Sequence, residues 1–217
     1  MDIVLFGPPG AGKGTQAKLL MERLTMVQLS TGDLMRAERA SGSDLGRRFD
    51  EYMSAGKLVP DSMVLELVEK AVGAAGDKST IFDGFPRTIP QAEALDALLA
   101  KAGRKISAVV AMDVPLADII DRVGGRRVCQ DCGQVYHVRY NPPPADDKCV
   151  GCGGTNIIQR KDDNEAVVTK RFEEYKSYTE SVLGYYQKQG IATSIDGMGP
   201  LETVYERIRA AMSPSGR

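Results

Sequence analysis

The sequence has almost no net charge, a single histidine, only four cysteines and no long apolar run, and each shortage removes a class of function. Lysine and arginine number 28 against 29 aspartates and glutamates, so no overall field draws the chain to nucleic acid or to an anionic membrane surface. A polyanion would have to meet a local cluster of cations. No apolar stretch approaches the roughly 20 residues that a bilayer span requires. The opening MDIVLFGPPG carries an acid at position 2 and soon breaks into glycine and proline, unlike an export signal, so the expected location is the cytoplasm. In that reducing setting, cysteines at paired spacing argue for metal or redox chemistry rather than disulfides. No internal repeat or low-complexity tract is present.

What is there suits one substantial core. The 217 residues are 42% hydrophobic, enough for one compact unit with one or two small inserted subdomains. Residues 3–6 are a continuous apolar run ending in glycine and proline, the pattern of a buried parallel strand, and 13–24 follow with helical spacing. Strand-like runs recur at 79–82, 106–112 and 191–195. Helical spacing is found at 63–72, 91–100, 116–122 and 201–212, and in one long stretch after Asp162 that includes Val167, Val168, Phe172, Tyr175 and Val182. This alternation predicts an α/β fold with a doubly wound parallel sheet. Two segments interrupt it, 30–59 and 122–160. Neither has core-like apolar content, so both are expected to be flaps over the carboxyl ends of the strands. The expected core is then 1–29, 60–121 and 161–217.

The strongest chemical signal is Gly7-Pro8-Pro9-Gly10-Ala11-Gly12-Lys13-Gly14-Thr15 between the first strand and first helix. Glycines let successive N–H groups turn toward a phosphate, the helix N-terminus adds its dipole, and Lys13 reaches the outer phosphates. A merely flexible turn would not need a lysine in this register. Gly14 stands where the general pattern has serine or threonine, and the hydroxyl moves to Thr15. The wording of this loop resembles the nucleoside monophosphate kinases, above all the adenylate kinases. Residues 29–36, Gly56-Lys57-Leu58-Val59-Pro60-Asp61, Asp83-Gly84-Phe85-Pro86-Arg87-Thr88, residues 121–127 and 160–164 resemble further pieces of that family in the same order. The likeness covers nearly the whole chain.

That resemblance implies ATP on Gly10, Ala11, Gly12, Lys13, Gly14 and Thr15, with Arg126, Val135 and Tyr136 of the long lid and a carbonyl near Gly199. It implies AMP on Thr31, Arg36, Lys57, Leu58, Val59, Gly84, Phe85, Pro86, Arg87, Gln91, Arg160 and Arg171. Gln91 is the expected base reader, since an amide offers both a donor and an acceptor. Catalysis falls to Lys13, Arg87, Arg122, Arg160 and Arg171. Physical reasoning supports this, because two polyphosphates brought together need concentrated cations, and arginine forks match phosphate oxygens. An AMP phosphate oxygen is already an anionic nucleophile, so no general base is required. Magnesium would accompany ATP, with Asp83 its indirect anchor. The family also implies a monomer.

Cys129-Gln130-Asp131-Cys132 and Cys149-Val150-Gly151-Cys152 form two knuckles separated by residues 133–148, a connection expected to form a β-hairpin. The spacing predicts a structural zinc ion, because four thiolates leave no open coordination position. A redox role would want one reactive pair near a core helix start. His137 is read as a packing residue rather than a fifth ligand. Asp162 and Asp163 are expected to cap a helix start and pair with lid arginines. Two other readings remain at this point. One is a relative acting on a pyrimidine or guanine monophosphate. The other is a nucleotide-operated switch whose ribbon grips nucleic acid, which the near-zero net charge opposes.

Overall fold

The structure, a computed structural model, describes residues 1–54, 59–160 and 162–213. Five parallel strands form its centre: β1 (Asp2–Phe6), β2 (Val27–Ser30), β3 (Thr80–Asp83), β4 (Ile106–Asp113) and β8 (Ala192–Asp196), in the order β2-β3-β1-β4-β8. Alternation along a strand sends successive side chains to opposite faces, and both faces here are apolar. On one face Val4, Phe6, Phe82, Val109 and Ala111 pack with Val64, Val68, Leu95, Leu99, Val182 and Tyr186. The last six come from α4 (Asp61–Ala75), α5 (Ile89–Lys101) and α7 (Glu165–Lys188). On the other face Ile3, Leu5, Ile81, Val110 and Met112 meet Ala17 and Leu20 of α1 (Lys13–Leu24) and Val204, Ile208 and Met212 of α8 (Leu201–Met212). The doubly wound α/β arrangement expected from the sequence is the one observed.

The first interrupting segment packs on α4, and the second carries a small sheet. Residues 31–54 make α2 (Thr31–Ser41) and α3 (Asp44–Ser54), separated by Gly42 at φ 70°, and Phe49 is buried with Met63 and Leu67 of α4. After α6 (Leu116–Gly124) come β5 (Arg126–Cys129), β6 (Val135–His137) and β7 (Ile157–Ile158), an antiparallel sheet in the order β6-β5-β7. The hairpin expected within residues 133–148 is not how this sheet forms. Its pairing is β5 with β6, Arg126 opposite His137 and Val128 opposite Val135, so the hairpin closes over the first cysteine knuckle. Between β6 and the second knuckle, the one bridge among the described residues is that of Asn141 with His137. β2 lies outside the strands expected from the sequence. Gln28 and Ser30 interrupt its apolar pattern, and only its place at the sheet edge beside β3 makes it a strand.

Candidate functional site

The glycine loop follows the carboxyl end of β1, Asp83 closes β3, and α2 follows directly on β2. Gly10 and Gly12 adopt φ 87° and 96°, which side-chain-bearing residues avoid. A Cβ on Gly10 would also lie 2.5 Å from Cγ2 of Val123, so the loop is pressed against α6. Gly12 precedes α1 as its N-cap, with no side-chain cap and no acid in the first turn, leaving the N–H groups and positive dipole end for an anion. Lys13 folds back over the loop, donating to the Gly7 carbonyl at 2.8 Å and the Pro8 carbonyl at 3.1 Å. Its ammonium is 3.9 Å from Asp83 Oδ1, and Gln28 Nε2 donates to Asp83 Oδ2 at 2.9 Å. Gln28 is a site neighbour the sequence did not single out, because its contact with Asp83 spans strands far apart in the chain.

Arg87, Arg126 and Arg171 lie near enough to Lys13 for their charges to act on it, and Arg122 touches the loop itself. Burial lowers the Lys13 pKa; Asp83 opposes that shift, while the positive fields of Arg87, Arg171 and Arg126 add to it. Arg87 has an edge open to solvent, yet the packed protein around it removes hydration and Arg171 adds like charge, so its pKa also falls. Arg160 is lowered by burial and then by Arg36 and Arg126. Arg122 reaches from α6 to the Ala11 carbonyl at 3.2 Å and to Met198 Sδ at 3.2 Å, close to Gly199.

Several of these arginines rest on acidic partners. Arg126 makes a two-pronged pair with the fully buried Asp163, its Nε 2.8 Å from Oδ2, and Arg36 pairs with Asp33. Asp162 holds Arg160 at 3.2 Å and Arg171 at 2.8 Å. Burial alone would raise the Asp162 pKa, but Arg160 and Arg171 carry it below the usual carboxylate value. The expected pairing of these aspartates with lid arginines is therefore present, whereas the expected capping is not. Asn164 caps α7, its side chain accepting from the Val167 N–H at 3.0 Å, because both aspartates are engaged by guanidinium groups.

Several of the other predicted residues are joined by hydrogen bonds around Gly84 and at the starts of α2, α4 and α5. Thr31 Oγ1 donates to the Gly84 carbonyl at 3.0 Å, and Arg87 Nε donates to the same oxygen at 2.9 Å. Gly84 has φ 76°, and a Cβ there would stand 3.1 Å from Thr31 Oγ1. Phe85 and Pro86 are buried behind it, and Val59 packs beside α4. Gln91 is buried with its amide engaged at both ends, Oε1 accepting from the Arg87 N–H at 2.7 Å and Nε2 donating to Asp61 Oδ1 at 2.6 Å. Lys57 and Leu58 lie outside the described residues. In the lid, Tyr136 points inward, its hydroxyl 3.2 Å from Cys149 Sγ, so its side chain belongs to the lid core, while Val135 is partly exposed.

The four cysteine sulfurs lie within 4.8 Å of one another, with Cys129–Cys152 at 3.7 Å and Cys132–Cys149 at 3.5 Å. A tetrahedral zinc with bonds of about 2.3 Å would set its sulfurs about 3.8 Å apart, so the donor set fits such an ion. The two knuckles share one backbone pattern. Gly133 N donates to the Cys129 carbonyl and Cys129 N to the Gln134 carbonyl, and Gly153, Cys149 and Gly154 repeat both bonds. The Tyr136 hydroxyl favours the Cys149 thiolate, lowering its pKa to about 6. His137 is not among the clustered ligands. Its Nδ1 accepts from the Arg139 and Tyr140 N–H groups at 3.1 and 3.3 Å, and its ring stacks on Tyr140.

The family model described as adenylate kinase matches residues 5–191. An adenylate kinase of Archaeoglobus fulgidus is 45% identical over 213 residues, covering 98% of both chains. Adenylate kinases of Syntrophobacter fumaroxidans and Paramagnetospirillum magneticum are each 44% identical, covering 98% and 99% of this chain and all of their own. With the glycine loop, the cations near Lys13 and this end-to-end similarity together, the chain belongs to the adenylate kinase family.

Proposed function

We propose that the chain moves the terminal phosphoryl group of ATP reversibly onto AMP, giving two ADP. The supporting observation is the crowding of Lys13 by Arg87, Arg126 and Arg171 beside an uncapped helix N-terminus, since such mutual repulsion suits a site that receives several phosphates. The loop 10–15 and Arg126 hold ATP in this reading. Arg36 and Arg87 hold the AMP phosphate over the Thr31–Gly84 floor, and Gln91 reads the base. The lid, 122–160, and the insertion, 30–59, close on the core and exclude water.

Lys13, Arg122, Arg160 and Arg171 neutralise charge as the phosphoryl group passes between nucleotides. For Arg160 and Arg171 this requires an exchange of partner, from Asp162 to phosphate oxygens. Phosphate outcompetes the carboxylate because it offers more oxygens and more charge to a guanidinium fork. Asp83 and Thr15 supply oxygen donors suited to magnesium, which when bound with ATP shields its phosphate charge. Four thiolates at these spacings suit a structural zinc, which would tie both knuckles into the small lid core. The enzyme is proposed to act as a cytoplasmic monomer with ATP and AMP as partners, without nucleic acid or membrane. Among the described residues no helix is long and apolar enough to cross a bilayer.

The test is ADP formation from ATP and magnesium with AMP, GMP, CMP and UMP in turn, against a control without acceptor. Rapid turnover with AMP and slow turnover with the others is expected. A different preferred base would overturn the base-pocket reading, and hydrolysis independent of acceptor would overturn phosphoryl transfer itself.

A further inference from the structure

We propose that Asp61 is a specificity-positioning residue: it fixes which way round the Gln91 amide points and thereby sets the purine preference of the monophosphate pocket. The inference rests on Gln91 as the base reader. Asp61 opens α4 and lies 30 residues from Gln91 in sequence, yet its Oδ1 accepts from Gln91 Nε2 at 2.6 Å. Its Oδ2 accepts from the Thr88 hydroxyl at 2.8 Å. On the other side, the Arg87 N–H donates to Gln91 Oε1 at 2.7 Å.

A glutamine amide is nearly symmetric in shape, and by itself it can turn over to exchange its oxygen and nitrogen. Here the two neighbours are chemically opposite. The carboxylate only accepts and the peptide N–H only donates, so one orientation makes two hydrogen bonds and the other makes none. Turning over would also leave buried polar groups unpaired, since Gln91 is only 4% exposed. The locked amide retains one N–H and one oxygen lone pair in a fixed order along its edge. Adenine presents a ring acceptor beside an amino donor. Hypoxanthine presents the reverse, a ring donor beside a carbonyl acceptor, and differs in little else along that edge. An amide of fixed order distinguishes the two, and one free to turn over serves both.

The experiment compares kcat/KM for AMP and for IMP in the wild type, Asp61→Asn and Thr88→Val. Asparagine keeps the size of Asp61 but can offer either a carbonyl or an amino group, so it loosens the Nε2 side of the lock and leaves the Arg87 N–H as the remaining constraint. Asp61→Asn is expected to lower the AMP-to-IMP ratio about threefold or more. Thr88→Val removes the other hydrogen bond of Asp61 and the α5 cap, and is expected to lower the melting temperature while leaving the ratio unchanged. A ratio that stays at the wild-type value in Asp61→Asn, or that shifts equally in Thr88→Val, makes Asp61 a purely structural residue and overturns the proposal. If Asp61→Asn does not fold, nuclear magnetic resonance of the wild-type Gln91 side-chain amide decides. One bound orientation with a protected Nε2 proton supports the lock, and freely exchanging protons refute it. A wild type inactive on AMP sinks the parent reading and this one together, whereas an active wild type with an unchanged Asp61→Asn ratio sinks only this one.

Discussion

Replacing Arg87 by alanine should weaken AMP far more than ATP. The Arg87 guanidinium uses its Nε on the Gly84 carbonyl, and among the described residues no hydrogen bond to its two terminal nitrogens is found. Those nitrogens form the fork that would take two phosphate oxygens. Two charge-assisted hydrogen bonds contribute about 3–5 kcal/mol. Part is offset in the variant, because removing Arg87 relieves its repulsion with Arg171 and with Lys13. The remaining loss of about 2–3 kcal/mol corresponds to a rise of about 30- to 150-fold in KM for AMP. KM for ATP should change less than about threefold, since the loop and Lys13 are untouched. The fold should survive, because the contact from Arg87 to Gln91 is made by the backbone N–H, which alanine keeps. A melting temperature within about 2 °C of wild type is expected for so exposed a side chain. Initial rates with each substrate varied in turn give both constants, and equal rises in the two would refute the assignment of Arg87 to the AMP phosphate.

Three further outcomes follow from geometry elsewhere. Arg104 closes over Asp2 at the amino end of the sheet, with Nε 3.0 Å from Oδ2 and Asp2 only 2% exposed. Arg104→Ala leaves a buried carboxylate unpaired and should cost about 3–5 kcal/mol, or about 10 °C of melting temperature, with turnover at low temperature preserved. A shift of only a degree or two in calorimetry would contradict that. A strong chelator should release about one zinc ion per chain and lower the melting temperature, and Cys132→Ser should do the same without chelator. A metal-free preparation melting like the untreated protein would defeat the zinc assignment. His137 is held neutral by burial and then by the field of Arg127, which lower its pKa from 6.5. The facing Asp121 carboxylate is engaged by the Tyr140 hydroxyl and by Arg139. The unfolded chain then takes up the proton first as pH falls, so stability present above pH 6.5 is lost on going below it. Melting curves at neutral and mildly acidic pH should differ less in His137→Gln than in wild type.

The parts of the site that were legible in the sequence are those in which chemistry and backbone geometry are local. Glycines 10 and 12 need left-handed backbone, Lys13 must follow them in register, and the cysteine pairs must be close enough to fold back as knuckles. Nothing distant decides these. The helices from 13 to 24 and from 201 to 212 were equally legible, since their apolar periodicity reports a face that any neighbouring sheet would cover. β2 was missed because a half-exposed edge strand with Gln28 and Ser30 has no apolar pattern to report.

The sequence by itself thus determined the fold class, the glycine loop, the residues that carry positive charge and the paired cysteines, because each is written in residue type and short spacing. Only the tertiary structure decided the partners: Asp83 with Lys13 and Gln28, Asp162 between Arg160 and Arg171, Asp163 with Arg126, and Asp61 with Gln91. It also decided that Asn164, rather than either aspartate, caps α7, and that the lid hairpin pairs β5 with β6. Many acids in the chain could meet each of these cations or amides. Which one does so depends on how the strands are ordered and how the inserted segments pack back on the core, and residue type and spacing along the chain do not encode those distances.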